Sequence, residues 1–314
     1  MNRNVYPVLM ILPIFLTLLV SGCISFGGSS GPLTGEGVVI RDFKPDFSSV
    51  ESGDTVRLYL RVQNIGGEEA KDVVAKLSGI DIGANAWNLI KGSEEEEIGD
   101  LSPPNLRYGT EGESKEIYWE LEAPSLPEGI ENDYKPFVRV YYRYKTTATK
   151  IITVLNRDEL RRLSMEGKSL SSQPTKYSDG PLKVDVITGK YVTAPPDRDP
   201  SFPITIHIEN VGDGVISSRQ GGWYYSENED YEVKLTIEMP DGLSLEPDCS
   251  QYEYGEKVKL WEGKTADITC DVDITRVPDI SEDKTIKITL EYDYYTDAYT
   301  TISVKGTGEE SGWW

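Results

Sequence analysis

Val56-Arg57-Leu58-Tyr59-Leu60-Arg61-Val62 alternates apolar and polar residues and breaks at Asn64-Ile65-Gly66-Gly67. A second copy follows far downstream: Ile204-Thr205-Ile206-His207-Ile208 alternates in the same way and breaks at Asn210-Val211-Gly212-Asp213. Period-two alternation ended by Asn, Gly and Asp marks a half-buried strand and its turn. The two asparagines lie 146 residues apart, so the chain is read first as a repeat.

The signals on either side agree. Each break is followed by another candidate strand, Asp72 to Leu77 and Tyr231 to Glu238, reaching a turn at Ser78-Gly79 and at Pro240-Asp241-Gly242. Alternation returns in Glu116 to Leu121 and in Ala266 to Val272, each followed by a Pro-bearing acidic loop, Pro124 to Glu128 and Val277 to Ile280. Each half then ends in Tyr- and Thr-rich segments read as a closing hairpin: Phe137 to Tyr144 with Lys150 to Val154, and Ile286 to Tyr292 with Thr300 to Val304. Short strands separated by turns at intervals of about ten residues predict an all-β fold of two tandem antiparallel β-sandwiches, residues 37–155 and 181–305. Residues 156–180 are expected to form a short helix and linker. Asn156 and Glu159 have the spacing of an N-cap with its reciprocal Glu, Leu160 and Leu163 share a face, and Gly167 closes the helix.

The amino terminus carries a different message. Arg3 precedes an apolar run from Val8 to Val20, interrupted by Pro13 and ending in Val20-Ser21-Gly22-Cys23. That run is shorter than the roughly 20 residues of a membrane-spanning helix and has the charged start and small residues of a cleaved signal. An ordinary cleaved signal and an uncleaved anchor are the competing readings. The stretch resembles the lipobox of prokaryotic lipoproteins, which implies a signal peptide over 1–22 and lipidation of Cys23. Residues 23–36 would then be a Gly/Ser tether between membrane and folded region. Stable anchoring requires two or more acyl chains, because one binds only marginally.

The order of motifs across 37–305 resembles the CARDB and related S-layer-associated immunoglobulin-like modules of archaeal and bacterial surface proteins. The shared features are an alternating strand ending in Asn-[Ile or Val]-Gly, a second strand, a paired apolar strand and a terminal Tyr/Thr hairpin. The resemblance implies two immunoglobulin-like sandwiches in an adhesive or spacer role, with no inherited catalytic residue. This chain departs from the pattern through insertions at Ile80 to Leu106 and Ser217 to Asp230, where a specialised role is expected.

The formal net charge of −21 excludes a polyanion-binding surface, since nucleic-acid binding needs clustered Lys and Arg to displace counterions. Arg157, Arg161 and Arg162 are the only basic group of any size. With Cys23 assigned to lipid, Cys249 and Cys270 remain, and an even pair in an exported protein is expected to form a disulfide. With no His or further Cys near the pair, a metal site there is disfavoured. The single histidine, His207, lies out of register with Ile204, Ile206 and Ile208 and is expected to face solvent. No Gly-x-Ser-x-Gly elbow accompanies this histidine outside the Gly/Ser tether, and carboxylate pairs need a rigid cleft that two small sandwiches seldom provide, so no enzyme is expected. No cofactor is expected either. Calcium is the one ion suited to the oxygen-rich stretches Glu94 to Glu97 with Asp100 and Glu227 to Asp230, although neither has the Asp-x-Asp-x-Asp-Gly order.

Aromatic residues in the insertions are the candidate partner-binding groups: Trp223, Tyr224 and Tyr225 after Gly221-Gly222, and Trp87 in the first insertion. Flat rings on loops stack on sugars or anchor protein interfaces, and a core-plugging role is the competing assignment. Trp119 and Trp261 are expected in the core, and Trp313 and Trp314 in an acidic Gly/Trp tail over 306–314. The sequence therefore predicts a non-enzymatic, lipid-anchored protein on the extracytoplasmic face of the cell membrane, acting as a structural or adhesive display module. Its expected partners are the membrane and an unknown surface protein or glycan. The alternatives are a glycan-binding lipoprotein using the aromatic loops and an accessory module of a secreted hydrolase.

Overall fold

The computed structural model describes residues 35–193, 200–219, 225–226 and 231–307, all within one compact unit. The first half contributes β1 (Val38–Pro45), β2 (Ser49–Glu51), β3 (Thr55–Asn64), β4 (Ala70–Ser78), β5 (Asn88–Lys91), β6 (Glu95–Leu101), β7 (Ser114–Glu122), β8 (Glu131–Tyr134) and β9 (Phe137–Leu155). Helix α1 (Arg157–Met165) and the strands β10 (Lys176–Tyr177), β11 (Leu182–Ile187), β12 (Val192–Thr193), β13 (Ser201–Asn210), β14 (Val215–Arg219) and β15 (Tyr225–Ser226) follow. The chain continues through β16 (Glu232–Glu238), β17 (Leu243–Leu245), a 3-10 turn (Pro247–Glu253), β18 (Glu256–Lys259), β19 (Thr265–Ile274), β20 (Ser281–Tyr299) and β21 (Ile302–Lys305). The protein is mostly β, as its alternation predicts.

The repeat is visible in the strand order. One four-stranded sheet runs β1-β3-β7-β5 and another runs β11-β13-β19-β17, so equivalent strands occupy equivalent places. Both quoted strands behave as read: Val56, Leu58, Leu60 and Val62 are buried, as are Ile204, Ile206 and Ile208, while their neighbours turn outward.

The expected closing hairpins are absent. Phe137 to Leu155 is one strand of 19 residues, and Ser281 to Tyr299 is another. Lys145-Thr146-Thr147-Ala148-Thr149 and Asp293-Tyr294-Tyr295-Thr296-Asp297-Ala298 hold no Gly, Pro or Asn to turn the chain, and their β-branched and aromatic residues favour extension. The two strands pair antiparallel over their whole lengths, from Phe137 opposite Tyr299 to Leu155 opposite Ser281. A single ten-stranded sheet thereby runs through both halves. The carboxy-terminal strand β21 pairs with β2 and β8, both first-half elements, rather than with its own half. The halves share one hydrophobic core.

The long ladder is sorted by face. Inward, Tyr142 lies opposite Tyr294 and Tyr144 opposite Tyr292, and the rings interlock at centroid distances of 5.8 to 6.3 Å. Burial pushes all four phenols above their ordinary range, so the quartet is neutral. Outward, Arg143 sits 3.6 Å from Asp293, and Arg139 grips Asp297 through two bonds of 2.8 and 2.9 Å. Opposite charges facing across the strands favour this register over any slipped one.

The repeated Asn-x-Gly has a structural cause at this joint. Asn64 Nδ2 donates to the carbonyls of Glu68 and Leu101, and Asn210 Nδ2 to those of Gly214 and Gly263, so each asparagine closes its turn from within. The glycine makes room for a quartet hydroxyl: a Cβ on Gly66 would overlap Tyr144 Oη, and one on Gly212 would stand 2.7 Å from Tyr294 Oη. Tyr144 Oη accepts from Glu68 N at 3.1 Å, and Tyr294 Oη donates to Asn210 Oδ1 at 2.9 Å.

Helix α1 forms as its sequence signals. Asn156 Oδ1 accepts from Glu159 N at 2.7 Å, Gly167 adopts φ +66°, and Leu160 and Leu163 are half-buried. No helical residue is fully buried, so the halves are joined by the strand ladder and not by helix docking.

Candidate functional site

Trp87 does not offer a ring to a partner. It is 1 % exposed, packed edge-on against Tyr134 with centroids 5.3 Å apart, because the first insertion folds back as β5 and β6 and carries the indole inward. Trp119 is buried as expected, its Nε1 donating to the Ser93 carbonyl at 2.7 Å. Cys23, Trp223, Tyr224, Trp313 and Trp314 lie outside the described residues, and Tyr225 is described only as part of β15.

The second insertion occupies an informative place. β14 faces Tyr295 to Asp293 of β20, and β16 resumes on the same edge facing Glu291 to Lys287. Together they fill one strand position, interrupted where β4 of the first half carries only a bulge at Asp72, with φ +51°. The aromatic segment is thus inserted into the middle of a strand, and the chain returns at Tyr231.

Tyr231 leads to the exposed aromatic that the sequence assigned to the core. Leu260 N donates to the Tyr231 carbonyl at 2.9 Å, and the next four residues, Trp261 to Lys264, form a tight turn into β19. Glu262 (φ +49°) and Gly263 (φ +67°) supply the two left-handed residues of a type I′ hairpin. A side chain on Gly263 would strike the Tyr231 ring at 2.7 Å. This geometry buries Leu260 and leaves Trp261 76 % exposed, since consecutive residues of a hairpin face opposite ways. Trp261, Tyr231, Val258, Lys259 and Asp267 border a cleft of 710 Å³. Sequence alternation placed Trp261 beside a strand; the Glu262-Gly263 pair was the signal that it belongs to a turn.

His207 faces away from the core, as expected, with Nδ1 2.7 Å from Asp267 Oδ1 on the facing strand. The neighbouring pair, Thr205 and Thr269, is bonded hydroxyl to hydroxyl at 3.1 Å. These are cross-strand pairs on the outer face of a sheet, beside the cleft that Asp267 borders.

Cys249 and Cys270 form the expected disulfide, tying the 3-10 turn to β19. The first calcium candidate does not assemble. Glu95 to Leu101 is a strand, so successive carboxylates point to opposite faces; Glu95 pairs with Lys76 and Glu96 Oε1 accepts from Ser93 N. Among the described residues no three His, Cys, Asp or Glu side chains are gathered for a metal. The second candidate, Glu227 to Asp230, lies outside the described residues.

No protein-family model and no curated protein sequence matches the chain. Among solved structures, it is similar to the C-terminal globular domain of an oligosaccharyltransferase from Pyrococcus abyssi, at 9 % identity over 87 % of this chain, with TM-score 0.20. A secreted serine protease from Vibrio cholerae aligns at 8 % identity over 82 % of this chain, also with TM-score 0.20. The chain spans 50 % of each of those two structures. The CupB6 tip adhesin from Pseudomonas aeruginosa aligns at 10 % identity over 88 % of this chain and 97 % of its own, with TM-score 0.16. At such scores the backbones do not superimpose, and nothing is carried over from them.

Proposed function

We propose that this chain is a lipid-anchored protein of the extracytoplasmic face, held by Cys23, whose two immunoglobulin-like halves act as one structural or adhesive display body and not as an enzyme. The observation that carries the reading is the Cys249–Cys270 disulfide, because such bonds persist in oxidising compartments and the amino terminus has the pattern of an export signal ending in an acceptor cysteine. The root of the tether supports a display role. Gly35 N donates to Asp179 Oδ1 of the linker and Asp213 N of the second half donates to Glu36 Oε1, each at 3.2 Å, so the segment leaving the tether is bonded to the linker and the second half while β1 begins the first. Tension on the anchor would enter at the joint and load both halves.

Glycan recognition is the second reading, favoured by the exposed Trp261 above its cleft. Aromatic faces bordered by carboxylates and a lysine suit the alternating apolar and hydroxyl faces of a sugar.

Replacing Cys23 with Ser tests the anchor. The native protein is expected in the membrane fraction with a mature terminus at a lipid-modified Cys23, and Cys23→Ser is expected to move most of it to the soluble fraction. A wild-type protein that still carries Met1, or one that partitions like the variant, would remove the anchor.

A further inference from the structure

Lys150 lies on the core-facing side of β9 and is only 5 % exposed, yet no carboxylate among the described residues meets it. Its Nζ donates to the Gln173 carbonyl at 2.7 Å and to Ser172 Oγ at 3.4 Å, both neutral acceptors. The other buried lysine among the described residues, Lys284, has Glu282 at 2.8 Å. A desolvated ammonium without a counter-charge is costly, and one served by two neutral groups has a third donor to spend. A second orphan belongs to a residue that lines the same cleft: Thr188 holds its Oγ1 enclosed, without a hydrogen-bond partner. Both residues line a cleft of 380 Å³ that also takes in Lys183, Tyr177, Thr175 and Asp185.

We infer that this cleft binds a small hydroxylated carboxylate, a sugar acid of the uronate class. The ligand carboxylate would accept from Lys150 Nζ, with Lys183 adding positive charge and Thr188 its hydroxyl. Asp185 decides against a bare oxyanion. Its Oδ1 already accepts from Thr175 Oγ1 at 2.6 Å, and its remaining lone pairs repel an anion but accept from a sugar hydroxyl. The cleft therefore presents a donor for negative charge and an acceptor for a hydroxyl. The site is separate from the Trp261 cleft and does not depend on the membrane anchor.

The test is calorimetric titration of the full chain in detergent with glucuronate, glucose and inorganic phosphate. Glucuronate is expected to bind, with glucose and phosphate each weaker by about tenfold or more, the loss expected when a charge-assisted or hydroxyl contact is missing. Lys150→Met is expected to weaken glucuronate by at least about tenfold. Thr188→Val separates ligand from structure: it should weaken glucuronate while leaving the melting temperature unchanged or higher, because the hydroxyl it removes is unsatisfied in the free protein. This variant and Lys183→Gln carry the test if Lys150→Met does not fold. No glucuronate binding, glucose or phosphate binding as tightly as glucuronate, or unchanged affinity in both Thr188→Val and Lys183→Gln would overturn the inference.

Discussion

Residues 37–155 and residues 181–305, expressed separately, are each expected to give no stable folded monomer, while co-expression of fragments divided in the 156–180 segment is expected to restore one soluble body. Each half alone would leave a 19-residue strand with one long edge unpaired, a surface prone to aggregation. It would also uncover its share of the tyrosine quartet. That share is two large side chains in each half, which at about 2 kcal/mol each gives about 4 kcal/mol as an upper estimate. That approaches the low end of the whole net stability of an ordinary domain, about 5–15 kcal/mol. The first half would further lose β21, which fills the space between β2 and β8. Circular dichroism melting and size-exclusion chromatography decide the matter: a cooperative melt from a monomeric single half would show the halves to be independent domains.

Gly66→Ala is expected to destabilise the protein by about 3 kcal/mol, the upper part of the usual range for overpacking a filled core. The added methyl would overlap Tyr144 Oη and approach the Glu36 carbonyl to 2.7 Å. The ring cannot swing aside, because Tyr144 is wedged between Tyr142 and Tyr292. Tyr144→Phe alone should cost about 1 kcal/mol, the net worth of its hydrogen bond from Glu68 N. In the double variant, Gly66→Ala should cost less than it does alone, since the phenyl ring frees the space the methyl needs. Urea denaturation of the four proteins measures that coupling, and strict additivity would show that Gly66 is required for some other reason.

Much of the β-architecture was legible because it rests on local chemistry. The alternation of Val56 to Val62 fixes an inner face, Asn64 and Asn210 fix their turns, and Asn156 with Glu159 fixes a helix start. The joint was not legible from pattern alone. Two Tyr/Thr-rich runs in succession resemble a hairpin, and the missing turn residue between Tyr144 and Lys150 outweighs that resemblance. The two tryptophan assignments failed for a related reason. Trp87 sits in a stretch rich in Asn and Gly that reads as an exposed loop, but strand β5 follows it and carries it inward. Trp261 sits beside a strand but belongs to a two-residue hairpin turn that aims it outward. Lys150 carried no signal, because a lysine in a strand is ordinary until its burial and its missing counter-charge are seen together.

The organisation of the chain as one body rests on the ladder between β9 and β20, and residue-resolved hydrogen exchange reads that ladder directly. Amides of Phe137–Leu155 and Ser281–Tyr299 are predicted to be the slowest in the protein and to open together, with one free energy shared along both strands. Exchange of β20, β13 and β19 through a lower-energy opening that leaves β3, β7 and β9 protected would contradict the account.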